Sequence, residues 1–294
     1  VVQEPRRIHV IINPAAGRNE PILNVINSVF GQHGIEWDVS VTHKYGDATE
    51  FARKAAADGY DIVAAYGGDG TQHEAAIGIL GSETKLGILP GGTGNGFANQ
   101  MGTPNKLQQA LELVASGENV AHVDVVQIGD GEDYFIQRLF TGIEPEQQTT
   151  REEKDKYGTF AYAIDAFKRS RDEREIDYTI TIDGETLKTQ AVKVYVINAA
   201  MAGTGISITG DISKVDDGLL EVFFLDAENL STLAAAAERM LKLNTETSEK
   251  FMRQGKVITL ESDPDQPVWT DGEYYGRTPV TAKVLPQVLP IIVP

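Results

Sequence analysis

The chain has 294 residues, 41% hydrophobic and 23% charged, which is enough apolar material for one large domain or two and too much for a disordered chain. Its 43 acidic residues against 26 basic ones leave a formal charge of −17, which argues against nucleic acid as a partner and against a broad electrostatic grip on anionic lipid. Cysteine is absent, which excludes disulfides, thiol nucleophiles and cysteine-held zinc and suits a cytoplasmic protein; no signal peptide and no apolar run of membrane-spanning length is visible.

In chain order, Ile8-His9-Val10-Ile11-Ile12 reads as a buried strand and Asn13-Pro14-Ala15-Ala16-Gly17-Arg18 as the turn that follows it. Ile22, Leu23, Ile26, Val29 and Phe30 recur at helical spacing over residues 21–31. Residues 37–42 alternate like a strand, and 47–57 predict a helix. The apolar strand 62–65 then ends abruptly in Gly67-Gly68-Asp69-Gly70-Thr71. Helical spacing resumes over 72–80 through Ala75, Ala76, Ile79 and Leu80. A short fourth strand, 86–90, runs into Gly91-Gly92-Thr93-Gly94-Asn95-Gly96, and 104–116 predict a helix with Leu107, Leu111 and Val114 on one face. Strands alternating with helices imply a mostly parallel sheet, and ligands on such sheets sit at the carboxyl ends of the strands. Residues 13–17, 67–71 and 91–96 all fall at that edge.

From about residue 120 the pattern changes. Residues 120–128 and 134–141 are strand-like, and 158–169 predict a helix. Strands then dominate at 177–182, 191–198, 219–225 and 256–260 and in the run to Pro294, with Asp183-Gly184 as a hairpin signal. One helix interrupts them, carrying Leu230, Leu233, Ala237, Met240, Leu241 and Leu243. This half predicts an antiparallel β sandwich or barrel.

The glycine clusters define the chemistry. A strand, a glycine turn and a helix start form a phosphate cradle, because bare amides meet the positive end of a helix. Glycine permits positive φ there and lets a ligand approach the main chain. Neither cluster is G-x-x-x-x-G-K-[ST] or G-x-G-x-x-G, so a Walker loop and a dinucleotide redox site are unsupported. His73-Glu74 opens like H-E-x-x-H, but Ile77 ends that reading. Phosphates would therefore rest on amides and on hydroxyls such as those of Thr71 and Thr93. Asp69 has the wrong charge to attract phosphate, and it points to a metal ion, a hydroxyl to be oriented, or a simple helix cap.

Three further clusters stand out. Asp124 follows Val123 at a domain junction. Lys214-Val215-Asp216-Asp217-Gly218-Leu219-Leu220 offers two carboxylates and turn carbonyls, suited to a hard cation or to a solvated turn. Asp271-Gly272-Glu273 places two carboxylates on a turn, which alone reads as surface.

Together these stretches resemble the diacylglycerol kinase catalytic-domain superfamily, which includes bacterial lipid kinases, sphingosine kinases and ceramide kinases. The motifs that match are Asn13-Pro14-Ala15-Ala16-Gly17, Gly67-Gly68-Asp69-Gly70-Thr71, Gly91-Gly92-Thr93-Gly94-Asn95 with Phe97-Ala98, Val123-Asp124, residues 154–162 and 214–220, Asp271-Gly272-Glu273, and the closing strand 290–294. They span nearly the whole chain in the family's order. G-G-D-G-T alone is shared with NAD kinases, whereas the second glycine motif and D-G-E narrow the field to lipid kinases.

The resemblance implies an N-terminal α/β nucleotide-binding domain with a mostly parallel sheet, a C-terminal antiparallel β-sandwich domain, and an active site in the cleft between them. The first would span 1–122 and be completed by the last strand, about 287–294; the lipid-substrate domain would span 123–286. ATP would contact Asn13, Thr42, Gly67, Gly68, Gly70, Thr71, Gly92, Thr93 and Asn95. Asp69 and Asp124 would hold the catalytic Mg2+, Glu273 would be the general base supported by Asp271, and Lys214, Asp217 and Leu219 would hold a structural Mg2+. One position departs: the family's usual Asn-Asp is Asn95-Gly96 here, which removes a carboxylate from the metal network.

The implied function is Mg2+- and ATP-dependent phosphorylation of a lipid alcohol, a diacylglycerol or a long-chain base. The protein would be cytoplasmic, in peripheral contact with the membrane that presents the lipid, with a homodimer also open and no nucleic acid. Two alternatives are a soluble-metabolite kinase such as NAD kinase, and a nucleotide- or lipid-binding protein with weak catalysis.

Overall fold

A computed structural model describes residues 6–16, 20–142, 175–198, 214–225 and 252–294. The expected helices at 158–169 and 230–243, the 154–162 motif, and Gly17 and Arg18 lie outside these residues. The chain divides into two compact units, Val1–Val125 with Pro286–Pro294, and Val126–Leu285.

In the first unit, strands and helices alternate: β1 (Arg7–Ile12), α1 (Ile22–Gln32), β2 (Glu36–Val41), α2 (Asp47–Ala57), β3 (Ile62–Gly67), α3 (Asp69–Ile79), β4 (Lys85–Pro90), α4 (Gly96–Gln100), α5 (Leu107–Ser116) and β5 (Asn119–Ile128). The order β2-β1-β3-β4 is parallel throughout. The central strand β3 is buried at all six positions, as expected of a parallel strand covered on both faces. The edge strand β2 leaves Glu36, Asp38, Val39 and Val41 exposed.

Helical periodicity explains the packing. Ile26, Val29 and Phe30 of α1 share a core cluster with Leu107, Ala110, Leu111 and Val114 of α5. Phe30 has no exposed surface, and Phe30→Ala should cost about 3–5 kcal/mol. Helices α2 and α3 meet through small residues. A Cβ on Gly78 would stand 2.5 Å from the Thr49 carbonyl oxygen and 2.6 Å from Ala52 Cβ. The helix α3 begins at Asp69, three residues before its apolar spacing, because extended Gly68 caps it and a carboxylate favours the first turn.

The second unit is antiparallel. After β5 come β6 (Asp133–Phe135), β7 (Arg138–Thr141), β8 (Ile176–Ile182), β9 (Glu185–Ala191), β10 (Lys193–Ile197), β11 (Leu220–Leu225), β12 (Met252–Gly255), β13 (Val257–Asp263), β14 (Pro267–Thr270), β15 (Glu273–Arg277) and β16 (Val280–Val293). One sheet runs β12-β11-β10-β7-β14-β15, and within the unit β9, β8, β13 and the first part of β16 form a second. Leu139, Val194, Val196, Val222 and Val268 of the first sheet share a core with Tyr178, Ile180, Ile258, Leu260 and Ala282 of the second.

Asp183 and Gly184 both take positive φ, 49° and 91°, which is the two-residue hairpin turn that joins β8 to β9. The single strand expected over 134–141 is broken at Ile136 and Gln137, whose amides are drawn to Asp271. The last strand serves both units. Its Val280–Lys283 stretch pairs with β13, and Ile291 pairs in parallel with Leu86 of β4.

Candidate functional site

Since β1 to β4 are parallel, the segments after Ile12, Val41, Gly67 and Pro90 leave the same edge of the sheet. Asn13 extends β1 by one rung, donating its N–H to the Tyr66 carbonyl at 2.9 Å. The Oδ1 of Asn13 accepts the Ala15 N–H at 3.0 Å, and its Nδ2 donates to Thr71 Oγ1 at 3.0 Å. Thr42 follows β2 in the same way, with its N–H on the Ile12 carbonyl at 2.9 Å.

Two carboxylates fix the residues beyond Thr42. Asp47 accepts the His43 and Lys44 amides at 2.8 and 3.1 Å, and Glu74 of α3 accepts those of Gly46 and Ala48 at 2.9 and 3.2 Å. Burial raises the Glu74 carboxyl above its ordinary value, and these amides oppose that rise.

Close packing rather than positive φ accounts for Gly67, Gly91 and Gly92. Among Gly67, Gly68, Gly70, Gly91, Gly92, Gly94 and Gly96 none is left-handed; the left-handed residue is Asn95, with φ 49°. A Cβ on Gly67 would stand 2.5 Å from Thr71 Cβ, and one on Gly91 2.9 Å from the Tyr66 ring. Asn95 is buried, and both ends of its amide are spent on Gly92, accepting its N–H at 2.9 Å and donating to its carbonyl at 2.8 Å. It shapes the second loop from within. Gly70 and Thr93 stay exposed at the edge, while Thr71 is buried. Sequence reading overlooked Gln72, a buried amide whose Nε2 donates to the Gly67 carbonyl at 3.3 Å. A polar residue at a core-facing helix position was the available signal.

Asp69 ties the two glycine loops together. Its oxygens accept the amides of Gly96 at 3.1 Å and Phe97 at 2.8 Å, so it caps the next helix, α4, from the first turn of α3. Gly96 contributes its backbone amide to this contact and no carboxylate. Asp124 on β5 is fully buried and accepts the Gln287 N–H at 2.7 Å. Gln287 is left-handed, φ 55°, at the point where β16 enters the first unit.

In the second unit, Asp271 is also left-handed, φ 48°, and its carboxylate accepts three amides: Ile136 at 2.8 Å, Gln137 at 3.0 Å and Arg138 at 2.8 Å. That network fixes the turn that presents Glu273, which is exposed and pairs with Thr270 at the start of β15. The next pair along the hairpin opens an aromatic row. Tyr274 lies opposite Trp269, Trp269 opposite Phe140, and Phe140 opposite Tyr195, at ring separations of 5.3, 6.4 and 5.8 Å. Periodicity could not reveal this row, because it depends on the register of four strands. Elsewhere in the unit, the Leu219 N–H donates to Asp217 Oδ1 at 3.0 Å, closing the turn after Lys214 on itself.

The donor set can be tested against Mg2+. Among the described residues no three acidic, histidine or cysteine side chains converge to form a protein cage. Mg2+ carried by nucleotide phosphates needs only one or two carboxylates plus waters. A carboxylate has about four acceptor positions, so Asp69, which holds two amides, keeps positions that fit a metal arriving with a nucleotide.

Comparison with known proteins identifies relatives over both halves of the chain. Residues 7–128 match the model of the diacylglycerol kinase catalytic domain, and 140–293 match that of the YegS C-terminal NAD kinase beta sandwich-like domain. Two curated relatives from Staphylococcus aureus, strains MRSA252 and bovine RF122 / ET3-1, carry the name diacylglycerol kinase. Each is 28% identical over 303 residues, covering 98% of this chain and 93% of the relative. A crystal structure of a diacylglycerol kinase from Bacillus anthracis str. Sterne aligns with a TM-score of 0.84 at 27% identity, covering 100% of this chain and 99% of that one.

Proposed function

This chain belongs to the diacylglycerol kinase catalytic-domain family and is a lipid kinase; on that premise we propose that it moves the γ-phosphoryl group of ATP, with Mg2+, onto the hydroxyl of a diacylglycerol. The observation that carries the reading is the apposition of the 67–71 and 91–96 loops at the carboxyl edge of the parallel sheet. The amides at the start of α3, which open from the first glycine loop, would suit a run of phosphates there.

Phosphoryl transfer has a loose transition state, so the protein's task is to position the groups and neutralise charge. Thr42, Gly67, Gly68, Gly70 and Thr93 would line the nucleotide, while Asn13, Asn95 and Gly92 shape the loops around it. Bound Mg2+ would supply charge neutralisation at the phosphates, held by Asp69 and Asp124. Glu273 would accept the acceptor hydroxyl's proton as that oxygen bonds to the γ phosphorus and the bond to the β-phosphate oxygen breaks, leaving ADP. Asp271 would hold Glu273 in place through its three amides.

The aromatic row next to Glu273 favours a lipid over a polar metabolite. Trp269 is half-buried and Tyr274 is 55% exposed, an apolar strip one residue pair away from the base. Among the described residues no helix is long and apolar enough to cross a membrane; the contact we propose with the lipid surface is peripheral, made by the aromatic row. The test is transfer from radiolabelled ATP to a panel containing dioleoylglycerol, sphingosine and NAD. Label in phosphatidic acid supports the reading, and label in NAD with none in lipid rejects it.

A further inference from the structure

The hydrogen bonds around Asn13 fix the direction of a neighbouring hydroxyl, and we infer that Asn13 is a positioning residue that aims the Thr71 O–H at a nucleotide phosphate. The inference rests on the nucleotide reading of the glycine loops and adds a role for a residue that the resemblance made a direct ATP contact.

The argument starts from the amide's orientation. The Ala15 N–H lies 3.0 Å from one side-chain atom of Asn13 and can only donate, so that atom must be the oxygen. The other atom, 3.0 Å from Thr71 Oγ1, is therefore the NH2 group. An NH2 group only donates, which makes Thr71 Oγ1 the acceptor in this contact. The hydroxyl's single proton must then point elsewhere. Among the described residues no other hydrogen bond to the Thr71 hydroxyl is formed, although Thr71 is only 6% exposed.

The hydroxyl's own position is also fixed. It stands directly behind Gly67, where a Cβ would collide with the Thr71 side chain. Asn13 is itself anchored by its main chain on Tyr66, next to Gly67 in the same strand. A bound phosphate oxygen would thus meet a hydroxyl barred from donating to Asn13, with part of its rotational freedom already removed before binding.

Replacing Asn13 by Asp keeps size and the Ala15 contact but reverses the second bond. A carboxylate accepts only, so it would take the Thr71 proton and turn the hydroxyl away from the nucleotide. The added charge would also repel phosphate, so the directional part must be isolated by a double-mutant cycle. Mg-ATP affinity of the full chain would be measured by calorimetry for the wild type, Asn13→Asp, Thr71→Val and the double variant. Asn13→Asp should weaken binding on the order of tenfold or more, and in the Thr71→Val background it should cost only a fraction of that factor. Asn13→Ala, which frees the hydroxyl instead of reversing it, should cost a few-fold in the wild type and less with Thr71→Val. Thr71→Ser, keeping the hydroxyl, should keep the sensitivity to Asn13→Asp that Thr71→Val loses. The inference is overturned if Asn13→Asp and Asn13→Ala cost the same factor in both backgrounds. Unchanged affinity in folded Thr71→Val would overturn the inference and remove Thr71 from the nucleotide reading as well.

Discussion

Gly68 and Gly92 face each other across the two glycine loops, close enough that a Cβ on Gly92 would lie 2.7 Å from Gly68 Cα. The reverse is not true, since a Cβ on Gly68 would meet Gly92 Cα only at 3.7 Å, and Gly68 has an extended backbone open to any residue. Gly68→Val should therefore fold with a melting temperature near the wild type and still lose most of its Mg-ATP affinity, because the branched side chain takes the space of a phosphate. Gly92→Ala should lose both stability and affinity by forcing the loops apart. Calorimetry with thermal melts separates the two; undiminished ATP affinity in folded Gly68→Val would remove the cradle.

Asp271 predicts a loss of stability rather than of chemistry alone. Its carboxylate holds three backbone amides, and Asp271→Ala would leave all three to find new partners. Bonds to a charged acceptor contribute about 1.5–3 kcal/mol each, though not additively, so a loss on the order of 3 kcal/mol is expected in denaturant unfolding. Glu273→Gln, on an exposed position, should leave stability unchanged.

Asp124 should separate two roles by substitution. Asp124→Asn keeps an acceptor for the Gln287 amide and removes the charge, so it should retain stability and lose the Mg2+-dependent part of turnover. Asp124→Leu removes both the charge and the acceptor for the Gln287 amide, lowering the melting temperature as well. Equal turnover in wild type and Asp124→Asn across a Mg2+ titration would take Asp124 out of the metal site.

The turn after Lys214 gives a test independent of catalysis. If Lys214 and Leu219, through carbonyls, and Asp217, through its carboxylate, hold a structural Mg2+, chelation of the nucleotide-free protein should lower its melting temperature, and added Mg2+ should restore it. Asp217→Asn should abolish that response. A melting curve indifferent to chelator and Mg2+ would leave the contact of Asp217 with the Leu219 amide as an ordinary turn.

Much of this arrangement was legible in the sequence, for identifiable reasons. The strand at residues 62–67 is apolar because both its faces are covered, and Asp183-Gly184 reads as a hairpin because both residues must take positive φ. What was not legible depended on pairing at a distance. No local pattern shows that Asp271 answers the amides of 136–138, or that Phe140, Trp269 and Tyr274 fall into one row. Of the two uses read for the glycines, positive φ falls instead to Asn95, while close packing needs Gly67 against Thr71, Gly91 against Tyr66 and Gly92 against Gly68.

The central claim is that this chain phosphorylates a diacylglycerol with Glu273 as the base. Single-turnover transfer of label from ATP to dioleoylglycerol in mixed micelles, compared between wild type and Glu273→Gln, tests it most directly. The wild type should form labelled phosphatidic acid. Glu273→Gln should form it on the order of 10²–10⁴ times more slowly, with ATP affinity within a few-fold. Near-full transfer by Glu273→Gln, or no label in lipid from a folded, ATP-binding wild type, would contradict the account.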